Sequence, residues 1–165
     1  MKILIDADAC PGVVKEMLYK ISTRLNMKLV FVANQYMQFP STSLISSVIV
    51  KAGPDEADNH IVEIMEAGDL VITEDIPLAD RVVKKEGVVL TPRGKLLDGN
   101  NIGQKLAVRN LMTDLRNEGI MTGGPKAFGN KEKQLFANAV DKLLTKALRK
   151  IEREKNKKAS SKEKS

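Results

Sequence analysis

The chain of 165 residues contains one cysteine, one histidine and no tryptophan. A single cysteine cannot form an internal disulfide, and one cysteine with one histidine cannot supply the ligands of a zinc site. Aromatic residues make up only 4% of the chain, which argues against a platform of rings on which nucleic-acid bases stack. Any metal in this protein would therefore be held by oxygen atoms.

Long hydrophobic runs are also missing from the sequence. No apolar segment reaches the length of a signal-peptide core or of a membrane-spanning helix. The first apolar run, residues 3–5, is followed directly by the acidic residue Asp6. We therefore expect a cytoplasmic protein that has no membrane partner.

The order of apolar and amphipathic segments predicts an α/β fold. Hydrophobic residues make up 42% of the chain, enough for one domain with an aliphatic core. Apolar runs that indicate buried parallel strands occur at residues 2–6, 28–33, 47–52, 69–73 and 88–91. Helices are expected between most of these strands, and afterwards over residues 102–117 and from 131 to about 155. We predict a Rossmann-like, three-layer α/β/α domain with a mainly parallel sheet of about five strands plus C-terminal helices.

The positive charge of the chain is concentrated at its C-terminal end. Residues 141–165 carry ten Lys or Arg against four Asp or Glu, which accounts for the whole net charge of +6. Basic segments attract phosphates by releasing counterions, although they also occur as solubilising ends. We predict one domain over residues 1–150 and a basic, disordered tail over 151–165 that leaves nucleic-acid contact open.

Carboxylates gather where the predicted strands end. They follow three different strands: Asp6, Asp8, Asp55, Asp58, Glu74 and Asp75. Crevices in open parallel sheets lie beyond the carboxyl ends of the strands, so these acids are expected at one edge. A divalent cation with oxygen ligands, Mg²⁺ or Mn²⁺, would relieve their repulsion. Individually, Asp55, Asp58 and Asp75 also suit the N-termini of helices, so only the cluster as a whole indicates a metal site.

Six short motifs resemble those of the YaiI/YqxD family. They are Asp6-Ala7-Asp8-Ala9-Cys10-Pro11, Val32-Ala33-Asn34-Gln35, Gly53-Pro54-Asp55-Glu56-Ala57-Asp58, residues 68–79, Pro92-Arg93-Gly94 and residues 122–128. The resemblance covers residues 1 to about 150 in order. The fold of that family is similar to the PIN domain, a Rossmann-like nuclease fold with metal-binding acids at the strand ends. The resemblance therefore implies a metal-dependent nuclease that acts on nucleic acid, with RNA favoured, and uses Mg²⁺ or Mn²⁺.

The same resemblance implies roles for individual acids. Asp6, Asp58 and Asp75 match three PIN-domain acids and are the implied metal ligands, with Asp55 as an additional one. Asp6, Asp8 and Asp75 are the implied catalytic residues, among which Asp8 could orient the attacking water. A further PIN acid has its nearest match in Asp80, which falls inside a predicted helix.

Four residues are candidates for substrate binding. Asn34 is expected at the end of the second strand, and Arg93 leaves the fifth strand where it could neutralise a phosphate. Gly123 and Gly124 offer backbone amides that could cradle an anion. The plainer interpretations are a structural arginine and an ordinary turn.

Alternative functions remain open at this stage. A non-catalytic, RNA-associated protein could retain a PIN-like scaffold and use its basic C-terminal end. The Asp6-Ala7-Asp8 sequence is also similar to the haloacid-dehalogenase phosphatases, in which the first acid attacks phosphorus. Cys10 and His60 are interpreted as a packed residue and a helix-surface residue. PIN-like proteins are often dimeric, so a homodimer is open, although no interface stripe stands out.

Overall fold

A computed structural model describes residues 1–121 and 127–163, and within them it contains six strands and five helices. The strands are β1 (Ile3–Asp6), β2 (Leu29–Ala33), β3 (Ile45–Ile49), β4 (Leu70–Ile72), β5 (Val88–Leu90) and β6 (Leu96–Leu97). The helices are α1 (Gly12–Leu25), α2 (Glu56–Ile64), α3 (Ile76–Lys84), α4 (Ile102–Asn117) and α5 (Asn130–Glu163). A single 3₁₀ turn, Ala7–Ala9, connects β1 to α1.

The sheet has the strand order β3-β2-β1-β4-β5-β6. Every neighbouring pair is parallel except β5 and β6, so the predicted mainly parallel sheet is confirmed. In the central strand, Ile5 pairs with Phe31 of β2 on one side and with Ile72 of β4 on the other. From β1 the chain continues to β2 and β3 on one side of the sheet, whereas β4 is followed by β5 and β6 on the other side. The crevice of such a sheet lies at this reversal, beyond the carboxyl ends of β1 and β4.

Helices cover both faces of the sheet. Alternate strand residues point to opposite faces, so each strand contributes to two cores. One face packs on α1 and α5 through Ile3, Ile5, Leu29, Phe31, Leu70 and Ile72. The other packs on α2, α3 and the start of α4 through Leu4, Val30, Val32, Val71 and Val89. The predicted three-layer α/β/α architecture is confirmed.

The structure differs from the sequence prediction in three places. β3 is Ile45–Ile49 rather than residues 47–52, and β6 was not predicted because two residues are too few to show a period. The last helix continues to Glu163, whereas the prediction ended it near residue 155 and made 151–165 a disordered tail. No glycine or proline follows residue 129, and Lys, Glu and Ala favour helix. Within the described residues, no helix is long and apolar enough to cross a lipid bilayer.

Helix α5 crosses the sheet from its carboxyl edge to its amino edge. Near the start of α5, Glu132 lies 4.0 Å from Arg93, which follows β5. Gly94 has φ +87°, and a Cβ there would lie 2.6 Å from the Leu135 backbone. Further along α5, Lys142, Lys146 and Lys150 line a groove. The same groove is lined by Met1, Gly68 and Val88, which lie at the beginnings of strands. The C-terminal part of α5 therefore lies at the edge opposite to the ends of β1 and β4.

Candidate functional site

The acids predicted from the sequence meet at the reversal of strand order. Asp6 is the last residue of β1, and Asp75 follows β4 as the N-cap of α3. Asp58 lies in the first turn of α2, which packs on the adjacent face of the sheet. The structure brings these three carboxylates within electrostatic reach of one another.

Asp6 is half-buried beside other acids. Burial is the largest cause that raises the pKa of Asp6 above its ordinary value. A hydrogen bond from the Thr73 hydroxyl to Asp6 Oδ2, at 3.1 Å, opposes this shift. The negative charges of Asp75 and Asp8 raise the pKa further. Burial and the neighbouring acids make the ionised form of Asp6 unfavourable. A cation bound beside Asp6 would stabilise that form.

Asp58 is affected by its neighbours even more clearly. Burial, followed by the negative charges of Asp75, Asp6 and Asp55, raises the pKa of Asp58 to about 6. The positive charge of Arg81 opposes the shift only in part. These carboxylates therefore form a set whose repulsion is incompletely balanced by the protein.

Asp75 has a structural role in addition to its charge. Its Oδ1 accepts a hydrogen bond from the Leu78 backbone N–H at 2.9 Å, which confirms the interpretation of Asp75 as a helix cap. The Asp75 backbone N–H donates to the Thr73 hydroxyl at 3.0 Å. The capping hydrogen bond uses only Oδ1, so the Oδ2 atom of Asp75 takes no part in capping α3.

Asp8 and Asp55 lie at the margin of the cluster. Asp8 is exposed, and its Oδ2 accepts a hydrogen bond from the Asn34 backbone N–H at 2.8 Å, which ties the 3₁₀ turn to the end of β2. The side chain of Asn34 is itself exposed at that edge. Asp55 has a left-handed backbone with φ 67° and makes no side-chain cap bond. Asp55 therefore occupies the N-cap position of α2, as the sequence suggested, but its side chain does not cap the helix, and its negative charge acts on Asp58.

Arg93 lies at the same edge of the sheet but is held by acids. Its Nε is 3.1 Å from Glu74 Oε1, its Nη1 is 4.0 Å from Glu132 Oε1, and the guanidinium lies over the Phe128 ring. It thus connects the ends of β4 and β5 with the start of α5. A role of Arg93 in phosphate binding stays a prediction. Gly123 and Gly124 lie outside the described residues.

Comparison with known proteins places the sequence in a family. The family model described as "Uncharacterized BCR, YaiI/YqxD family" matches residues 4–146. The chain belongs to the YaiI/YqxD family. It is 52% identical over 151 residues to a UPF0178 protein of Maridesulfovibrio salexigens, covering 92% of this chain and 100% of that one. It is 54% identical over 149 residues to a UPF0178 protein of Citrifermentans bemidjiense, covering 90% and 97%. No solved structure matches the chain.

In this member of the YaiI/YqxD family, the acids do not form a finished coordination sphere. Across residues 1–121 and 127–163, no three His, Cys, Asp or Glu side chains are grouped so that they could hold a metal ion. The chemistry of the donors nevertheless fits Mg²⁺ or Mn²⁺, because all are carboxylate oxygens and the charge of Asp75 raises the pKa of both Asp6 and Asp58. Asp6, Asp58 and Asp75 are the residues that would hold such an ion.

Two other interpretations concern single residues. Cys10 is buried in the core, and burial raises the pKa of its thiol to about 12, which agrees with a packed residue rather than a nucleophile. Asp69 directly precedes β4, and its Oδ2 is 2.7 Å from the Lys2 ammonium at the amino edge of the sheet. Asp69 therefore belongs to a structural ion pair away from the acid cluster.

Thr73 is a site residue that no sequence motif or spacing identified. It is buried, and its hydroxyl bridges Asp6 and the backbone of Asp75. The available signal was a hydroxyl residue at the end of an apolar strand, two positions before an acid. That signal alone does not identify the partner on β1, which depends on the pairing of β1 with β4.

Proposed function

We propose that this YaiI/YqxD protein hydrolyses phosphodiester bonds in RNA with the help of Mg²⁺ or Mn²⁺. The observation that carries the proposal is the charge coupling of Asp6, Asp58 and Asp75 at the reversal of strand order. An unbalanced set of carboxylates at that crevice suits a divalent cation, and a divalent cation suits an anionic ester. The family resemblance to PIN-like nucleases supports the same reaction.

The residues of the chain would divide the work between them. Asp6, Asp58 and Asp75 would hold the cation, and Asp55 would add negative charge beside Asp58. When bound, the cation would lower the pKa of a water molecule and balance the negative charge on the phosphate. Thr73 keeps Asp6 and the start of α3 in register through its two hydrogen bonds.

Asp8 would orient the attacking water and accept its proton. The Asn34 backbone N–H holds Asp8 Oδ2, so Oδ1 would accept that proton while the water oxygen bonds to phosphorus. The bond from phosphorus to the leaving sugar oxygen then breaks, and that oxygen takes a proton from a solvent water molecule. The exposed side chain of Asn34 lies at the same edge, where it would contact the substrate backbone.

Cleavage of labelled single-stranded RNA and DNA, with Mn²⁺, Mg²⁺ or a chelator, tests the proposal. Asp6→Asn and Asp75→Asn should abolish the cleavage, and a chelator should abolish it in the wild type. Asp114→Asn is the matched control, because Asp114 is exposed on α4 and the substitution changes the charge equally. Cleavage that persists in Asp6→Asn would overturn the assignment of this site.

The same experiment separates the alternatives. Retention of RNA without cleavage under every metal condition would overturn hydrolysis and favour an RNA-associated binding protein. Release of inorganic phosphate from a phosphomonoester, with RNA left intact, would favour the haloacid-dehalogenase-like phosphatase instead.

A further inference from the structure

The C-terminal half of α5 carries a row of cations on one face. We name it the basic stripe: Lys142, Lys146, Arg149, Lys150, Arg153 and Lys157. At 3.6 residues per turn, these six positions fall within about 100° of the helix circumference and extend over about 22 Å. All six side chains are exposed.

The protein itself does not balance the charge of the basic stripe. Among the described residues, none of the six cations forms an ion pair with a carboxylate. The nearby acids Asp141, Glu152 and Glu154 lie at other angles around the helix, and Asp141 pairs with Arg24. Members of the stripe also follow each other at four-residue spacing, an arrangement of like charges that destabilises a helix. An external anion bound along the stripe would therefore relieve this repulsion and stabilise the helix.

The form of the helix favours a linear polyanion over a membrane surface. A helix that lies on a membrane needs an apolar face beside its basic one. In α5 the apolar face packs on the core as far as Leu148, and residues 152–161 are all exposed with Ala159 as their only apolar member. A nucleic-acid strand, with about one phosphate per 3.4 Å, places roughly six charges along the length of the stripe.

We propose that the basic stripe binds the phosphate backbone of nucleic acid. The inference does not rest on the proposed hydrolysis, because the stripe starts at the amino edge of the sheet and the acids lie at the carboxyl edge. Binding by backbone phosphates is independent of base sequence and is strongly weakened by salt.

Salt dependence of binding, measured with full-length protein, tests this inference. A labelled 20-nucleotide single-stranded RNA is titrated in chelator, so that cleavage cannot occur, between 50 and 200 mM NaCl. The double variant Lys146→Gln, Lys150→Gln should weaken binding at least fivefold. It should also reduce the slope of log affinity against log salt by about 1.4, the value for two lost phosphate contacts on a single strand.

The double variant Lys155→Gln, Lys158→Gln is the matched control, because it changes the net charge equally on other faces of the same helix. This control variant should keep most of the affinity for RNA and most of the slope of log affinity against log salt. Equal losses in the two double variants would overturn the stripe, since net charge alone would then explain binding. Tighter binding to phosphatidylserine vesicles than to RNA would overturn nucleic acid as the partner.

Two further measurements keep the result interpretable. Circular dichroism and thermal unfolding should show that the stripe variant folds, because glutamine keeps helix propensity and the substitution removes like-charge repulsion. Asp114→Asn should bind RNA as the wild type does, because Asp114 lies outside the stripe and outside the acid cluster. Binding by the wild type in chelator, without cleavage in Mn²⁺ or Mg²⁺, would leave the stripe standing while the proposed hydrolysis fails.

Discussion

The hydroxyl of Thr73 donates a hydrogen bond to Asp6 Oδ2 at 3.1 Å. The same hydroxyl oxygen accepts a hydrogen bond from the Asp75 backbone N–H at 3.0 Å. Two neighbouring parallel strands, β1 and β4, are thereby connected at their carboxyl ends by one buried side chain. The relative position of two candidate metal ligands thus depends on Thr73.

Replacement of Thr73 by valine should lower both stability and cleavage. Both hydrogen bonds of the Thr73 hydroxyl are lost, and each contributes about 0.5–1.5 kcal/mol to the free energy of unfolding. Thr73→Ser keeps the hydroxyl and loses one methyl group, so it should retain metal-dependent cleavage at a cost of about 1 kcal/mol. Urea unfolding and RNA cleavage measure the two effects. Equal cleavage by the valine and serine variants would contradict the bridging role.

Two substitutions at Asp75 should separate its cap from its charge. Asparagine is a good N-cap residue, so the free energy of unfolding of Asp75→Asn should lie within about 0.5 kcal/mol of the wild-type value. Asp75→Ala should lose about 0.5–2 kcal/mol because the Leu78 N–H loses its partner. Both variants should lose RNA cleavage. A stable asparagine variant that still cleaves would show that Asp75 serves only as a cap.

Asp58 should make stability depend on pH in an unusual direction. Its pKa in the folded protein is about 6, above the ordinary value of 3.8. Between these values the folded state binds more protons than the unfolded state, so raising the pH favours unfolding. The stability of the wild type relative to Asp58→Asn should therefore fall from about pH 4 to pH 6 and level off above. Urea unfolding across this range checks it, and a constant difference between the two proteins would contradict it.

Gly94 should tolerate no side chain. Its φ is +87°, and a Cβ would lie 2.6 Å from the backbone of Leu135 in α5. Gly94→Ala should therefore destabilise the protein by at least about 2 kcal/mol, through backbone strain and displacement of α5. Gly99→Ala is the control, since a Cβ there meets nothing within 4 Å. Thermal unfolding that does not distinguish the two variants would contradict this close packing.

The sequence predicts the edge where Asp6 and Asp75 lie because both follow apolar runs that become parallel strands. It does not predict the bridge through Thr73, because that contact depends on β4 pairing directly with β1. The partners of Arg93 escape prediction for a similar reason, since Glu132 comes from a helix almost forty residues later. Asp55 shows the limit of local rules: its position before α2 suggests a cap, yet its backbone turns to the left-handed region.

The course of α5 across the sheet sets a length for any strand that would reach both the acids and the basic stripe. From Glu132, beside Arg93, to Lys146, the helix advances about 21 Å. At about 3.4 Å per nucleotide, a stacked strand that spans this distance contains about seven nucleotides. Dinucleotides and trinucleotides can occupy one edge only. The shortest oligonucleotide for which affinity and turnover rise together would therefore measure the separation between the acids and the basic stripe.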